Sequence, residues 1–158
     1  DIIQEKTAWD TMVWFAVLYM MATALSQYGF IAWISEVIAS SLGGMNWVVA
    51  LVVLVLIYFF SHYFFASATA HISAMYLAFL GAAIAIGAPP LMAALVLAYT
   101  SNLFSSLTQY SGGPSPTLFG LNYITVGEWW RTSAIAGAVS ITIWLVIGGL
   151  WMNVIGLW

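Results

Sequence analysis

From Val37 to Gly127 the chain carries no Asp, Glu, Lys or Arg. A soluble domain uses about a quarter of its residues for charge, and an uncharged stretch of this length builds no water-facing surface. Over all 158 residues, 64% are hydrophobic and 4% are charged. A chain of this kind folds as an all-α, polytopic membrane protein, because helices satisfy their own backbone hydrogen bonds in lipid. The lipid bilayer is its first partner. A net charge of −3 without a basic patch excludes a nucleic-acid partner. With no cysteine, there is no disulfide, thiolate metal site or Cys nucleophile. The acidic start lacks the pattern of a signal peptide, and the absence of an initial Met leads to the expectation of a partial chain.

Hydropathy divides the chain at its Gly and Pro residues. Trp9–Leu25 is expected to be a first span, ended by Gly29. Phe30–Leu42 is short and places Ile31, Ile34, Val37, Ile38 and Leu42 at helical spacing, with Glu36 among the polar residues on the other side. It reads as a helix lying at the interface. Gly43 and Gly44 precede a long apolar helix over Met45–Phe65. A second helix, His71–Ile86, is rich in the small residues that let membrane helices approach closely. Gly87-Ala88-Pro89-Pro90 stops it. Leu91–Leu107 follows, then a polar break at Gln109–Pro116, a short element at Leu118–Ile124 and a polar turn at Gly127–Arg131. Thr132–Trp158 is a last charge-free span with Trp151 and Trp158 as interface anchors. Placing Lys6 and Arg131 on the cytoplasmic side makes Met45–Ile86 a re-entrant hairpin entering from outside.

Two polar stretches interrupt this apolar scaffold. The first, within Tyr58–Tyr76, gathers Ser61, His62, Ser67, Thr69, His71 and Ser73 around a small-residue centre. The second, Thr108–Thr117, reads TQYSGGPSPT. Irregular backbone at membrane depth is tolerated where it lines a cavity or is buried in protein. Each break ends one helix and begins another, and a helix N-terminus carries about half a positive charge. A helix starting near Thr69 and another starting near Pro114 would aim two such ends at one point. Hydroxyls of Ser67, Thr69, Ser111, Ser115 and Thr117, with unobstructed N–H groups at Gly112 and Gly113, would form an anion site that needs no Lys or Arg.

Simpler readings exist for the same residues. Gly-Gly-Pro and Pro-Pro can merely kink helices, and membrane Ser and Thr commonly bond back to their own helix. His62 and His71 are either buried imidazoles bonded to a neighbour or groups acting beside the tip. Without a carboxylate ligand or a CxxCH sequence, no haem or metal site is assigned to them. Ser67 and His71 have the spacing of a nucleophile and base but lack a third orienting group. Glu36 and Glu128 read as interface charges. Asn102 is expected to bond another helix or line a polar path.

The order of these motifs resembles the divalent anion:sodium symporter family. The resemblance lies in Ser67-Ala68-Thr69 after Phe64-Phe65-Ala66, and in Ser111-Gly112-Gly113-Pro114-Ser115-Pro116 before Phe119-Gly120 and Tyr123. The chain looks most like the branch of citrate/succinate antiporters and 2-oxoglutarate/malate translocators. The resemblance implies two inverted repeats, each with a Ser-Asn-Thr motif at a hairpin tip and a Pro-containing broken helix. Residues 1–158 look like the second repeat, a single transmembrane domain and the C-terminal half of a longer transporter. It implies a homodimer, a missing N-terminal repeat and a place in the bacterial plasma membrane. The expected activity is exchange of di- or tricarboxylates, not an enzymatic reaction and without a cofactor.

The implied substrate residues are Ser67, Thr69, Gly112, Gly113, Pro114 and Ser115. The region where a coupling cation would sit comprises His62, Ala66, Ala68, His71 and Ser111. Here the motif's Asn is Ala68, and the break reads Gly-Gly-Pro-Ser-Pro in place of the symporters' Thr-Pro-Pro pattern. Both departures favour anion exchange over sodium coupling, with His62 or His71 supplying positive character. Sodium-coupled symport by the same fold is the alternative, and a membrane-embedded enzyme or cofactor protein using His62, His71 and Ser67 is a more remote one.

Overall fold

A computed structural model describes residues 27–65, 67–111 and 114–158, together with 9, 13, 16, 17, 20, 21 and 23–25. Most of the expected first span, Trp9–Leu25, lies outside the described residues, as do Ala66, Gly112 and Gly113. Among the described residues all regular structure is helical.

Helix α1 is Phe30–Ser41, and the left-handed Gly29 at its start marks the turn the sequence anticipates. Its inner face is narrower than the apolar spacing suggests. Ile34 and Ile38 pack on the core, whereas Val37 is exposed. Ser40 and Ser41 both turn their hydroxyls back to the Val37 carbonyl. Helix α2, Trp47–Ser61, begins where the Asn46 side chain accepts the Val48 N–H. It tightens into a 3-10 turn over His62–Phe64.

Helix α3, Ala68–Ala85, occupies the centre and packs against α1, α2 and the next helix, α4. Ala78, Ala82 and Ala83 are fully buried along it, so its small side chains let neighbouring backbones close in. It stops as the sequence predicts. Gly87 takes φ 90°, the Ala88 N–H reaches the Ala83 carbonyl, and the Gly87 N–H reaches Ile84. This paired reverse bonding needs a residue that enters the left-handed region without a Cβ clash.

Helix α4, Pro90–Leu103, then starts with proline in its first turn, where the missing N–H matters least. It too ends in a 3-10 turn, Phe104–Ser106. A six-residue helix, α5, spans Pro114–Phe119. The short element begins at Pro114, where a helix start is expected from proline's preset φ, and ends at Phe119 instead of running over Leu118–Ile124.

Helix α6, Val126–Ile143, corrects the expected polar turn at Gly127–Arg131: those residues form its first turns. Thr125 and Glu128 close a reciprocal capping box, so Glu128 is a helix-start residue as well as a surface charge. A π-helical stretch, Trp144–Gly148, leads into α7, Gly149–Val154. Among the described residues, three segments are long and apolar enough to cross a membrane: Trp47–Phe64, Ala68–Ala85 and Val126–Val154. Each arm of the expected re-entrant hairpin is 18 residues, about 27 Å of helix, close to the thickness of a hydrocarbon core.

Candidate functional site

The hairpin tip is built by a change of backbone state. After the 3-10 turn, Phe65 is extended, with φ −113° and ψ 133°. Ser67 is extended as well, and its Oγ accepts the Ala70 N–H at 3.1 Å. That bond satisfies one orphan donor of the α3 N-terminus and leaves the Ser67 hydroxyl proton free to donate. The Ala68 N–H is also taken, by the Ser111 carbonyl at 2.9 Å. Thr69 is exposed in the same first turn. The tip thus presents two hydroxyls at the positive end of an 18-residue helix.

The Ala68–Ser111 bond brings the two polar breaks together. Ser111 is held from its own side: its hydroxyl donates to the carbonyls of Thr108, at 2.8 Å, and Ser105. A second contact joins the same elements, the Tyr110 hydroxyl donating to the Tyr63 carbonyl at 3.0 Å. Beyond the break Pro114 is exposed and Ser115 is buried. Helix α5 is less than two turns long, so the second helix end carries far less of a dipole than an anion site with two equal ends requires.

Behind the tip lies a packed ring cluster. His71 stacks on Phe65 at 4.6 Å between centroids and lies 4.5 Å from Phe104 and 4.7 Å from Tyr58. His62 stacks on the same Phe104 at 4.5 Å and lies 5.4 Å from His71. Both histidines are fully buried. His71 Nε2 pairs with Ser61 Oγ at 3.0 Å, while both His62 nitrogens and His71 Nδ1 have no partner among the described residues. Ser67 is engaged with Ala70 and His71 with Ser61, so the structure does not assemble the nucleophile and base suggested by their spacing.

Residues 1–158 match, throughout, the family described as the sodium:sulfate symporter transmembrane region. The chain belongs to this family. It is similar to the putative malate transporter YflS of Bacillus subtilis, at 54% identity over the whole chain and 33% of that relative. It is 48% identical to the spinach chloroplast dicarboxylate transporter 1, over the whole chain and 28% of the relative. The L-tartrate/succinate antiporter of Escherichia coli is 37% identical over 98% of this chain and 32% of its own length. The chain spans about a third of the curated relatives it matches. The resemblance carried by Ser67-Ala68-Thr69 and the Ser111–Pro116 break is borne out at the level of family. A sodium:sulfate symporter region is a transporter's membrane domain, which sets aside the enzyme reading of His62, His71 and Ser67.

Within this symporter-family domain, the structure places Ser67, Ala68 and Ser111 in one bonded unit, with His62 and His71 directly behind it. Asn102 behaves otherwise than expected: its side chain is exposed, and the polar bridge from α4 to α2 is made by its neighbour Ser101, whose Oγ lies 2.8 Å from the Tyr58 hydroxyl. Sequence reasoning also missed Phe104, the ring shared by Tyr58, His62 and His71, and the Tyr110–Tyr63 bond. The signal for Tyr110 was its place inside the break; nothing in the spacing singled out Phe104.

Proposed function

We propose that the chain forms the second inverted repeat of a dicarboxylate exchanger and supplies half of its substrate site. The observation that carries this reading is the bonded unit at Ser67, Ala68 and Ser111, where a helix N-terminus with two available hydroxyls is locked to a helix break within the uncharged stretch from Val37 to Gly127. Ser67 and Thr69 donate to one carboxylate of a C4–C6 di- or tricarboxylate, such as succinate, malate, 2-oxoglutarate or citrate. Gly112, Gly113, Pro114 and Ser115 complete the proposed set of substrate residues. A substrate lacking one carboxylate leaves these paired donors unsatisfied, which is the source of discrimination. The N-terminal repeat supplies the opposing half, and the transporter works as a homodimer. A bacterial plasma membrane is supported by the identity to the Bacillus relative.

Exchange is favoured over sodium coupling because the position of the family motif's amide is occupied by Ala68, whose side chain offers no ligand. His71 and His62 lie immediately behind that position, stacked on Phe65 and Phe104. The family's own description as sodium:sulfate symporters favours the second reading, a sodium-coupled symporter of the same fold. Uptake of labelled succinate and 2-oxoglutarate into liposomes containing the full-length transporter separates the two. Uptake without sodium that requires internal dicarboxylate supports exchange. Uptake that begins only on adding sodium overturns it, and uptake of neither acid overturns the substrate class.

A further inference from the structure

We infer that Tyr110 is a positioning residue for the substrate site: its hydroxyl holds the hairpin tip against the second break. The inference rests on the reading of the Ser67 tip as the substrate site. Tyr110 lies one residue before Ser111, whose carbonyl receives the Ala68 N–H. Tyr63 lies in the 3-10 turn between α2 and the tip. A carbonyl at the end of a helix lacks its intrahelical partner, and the Tyr110 hydroxyl supplies one at 3.0 Å across 47 positions of sequence. The two bonds grip the tip on both sides of its reversal: Tyr63 on the way in, Ala68 on the way out.

With only the Ala68–Ser111 bond, the tip could pivot about one point. The Tyr110–Tyr63 bond adds a second point and fixes how Ser67 and Thr69 face the break. The neighbouring Gln109 side chain accepts the Trp130 indole N–H at 2.7 Å, and the Trp130 ring lies 5.4 Å from Tyr63. That exposed bond ties the break to α6 but not to the tip, so it serves as an internal control.

Tyr110→Phe removes the hydroxyl and keeps the ring. In the full-length transporter in liposomes, it is expected to raise the half-saturation concentration for labelled succinate about fivefold, the scale of one net hydrogen bond. The maximal exchange rate should stay within twofold of the parent. Amide hydrogen exchange over residues 67–71 should quicken in the same variant. Gln109→Ala, which removes the bond to Trp130 and keeps the ring beside Tyr63, should leave both readouts unchanged. An unchanged half-saturation concentration, a lowered rate without such a change, or an equal response in Gln109→Ala overturns the inference. If the parent transports neither succinate nor 2-oxoglutarate, the functional reading fails by itself. Amide exchange then decides: quickening in Tyr110→Phe alone upholds the tether, and no quickening overturns it.

Discussion

The Ala68 N–H and the Ser111 carbonyl lie 2.9 Å apart, and this one backbone bond joins two irregular segments separated by the whole of α3 and α4. A broken helix leaves polar backbone groups that lipid does not satisfy. Here the orphan donor of one break meets the acceptor of the other. Each irregular segment therefore satisfies a backbone group of the other.

This pairing can be cut at the backbone. Ala68 is the first residue of α3, and Ser67 before it is extended at φ −158° and ψ 155°. Both conditions suit proline, which is tolerated at a first helical position and prefers an extended predecessor. Ala68→Pro should keep α3, but its ring Cδ takes the place of the proton that faced the Ser111 carbonyl and pushes that carbonyl away. The expected result is a loss of at least about 1–3 kcal/mol, the range for an acceptor left unpaired, with weakened succinate binding. Unfolding of the purified full-length transporter checks the first, and the half-saturation concentration for exchange checks the second. A stability equal to that of the parent would show that the two breaks do not support each other.

Ser67 has two separable duties, capping α3 and donating to substrate. Gly at a cap position costs only a few tenths of a kcal/mol relative to Ser, whereas Ala costs about 1 kcal/mol. Ser67→Gly should therefore retain stability and lose the hydroxyl, with the half-saturation concentration for dicarboxylate rising at least tenfold. Ser67→Ala should lose both. Near-parental exchange in the Gly variant, measured with labelled succinate in liposomes, would reduce Ser67 to a structural cap.

The helix limits were legible where Gly and Pro set them, because those residues act on the backbone locally. Gly29, Gly87 and Pro90 all stand at the boundaries their chemistry predicts. The start of α6 was legible too, in the Thr125–Glu128 spacing, but the charges of Glu128 and Arg131 drew attention to polarity instead of capping. The meeting of the two breaks followed from their common need for partners, although its atoms did not. The ring cluster was not legible. Phe104 becomes its hub through the path of α4 against α2, which depends on packing over many residues. For the same reason the sequence could not decide whether His71 would face Ser67 or Ser61.

Phe104 is fully buried and is shared by the rings of Tyr58, His62 and His71. Phe104→Ala should destabilise the transporter by about 3–5 kcal/mol, the usual range when a large buried ring leaves a cavity. Phe104→Leu should lose less, since it retains most of the volume. Thermal unfolding in detergent measures the order of the three proteins. A Leu variant as unstable as the Ala variant would mean that ring stacking, not filled volume, holds the cluster.

Gly137 reports on how α6 meets the bundle. It is buried, and a Cβ added there would stand 2.7 Å from Leu107 Cδ2 and 3.1 Å from Phe59 Cζ. The first contact can be relieved by rotating the end of a leucine; the second presses on a ring that is itself fully buried. Gly137→Ala should therefore be accommodated with a loss of about 1 kcal/mol, while Gly137→Val, with two further methyl groups, should lose about 1–3 kcal/mol or displace α6. Because Leu107 is the residue before Thr108, the strain reaches the start of the second break. The Val variant should accordingly weaken dicarboxylate exchange more than Ala does, and amide exchange over residues 107–111 should quicken with it. Parental stability and exchange in Gly137→Val would place α6 farther from α2 and the break than the 2.7 Å approach requires.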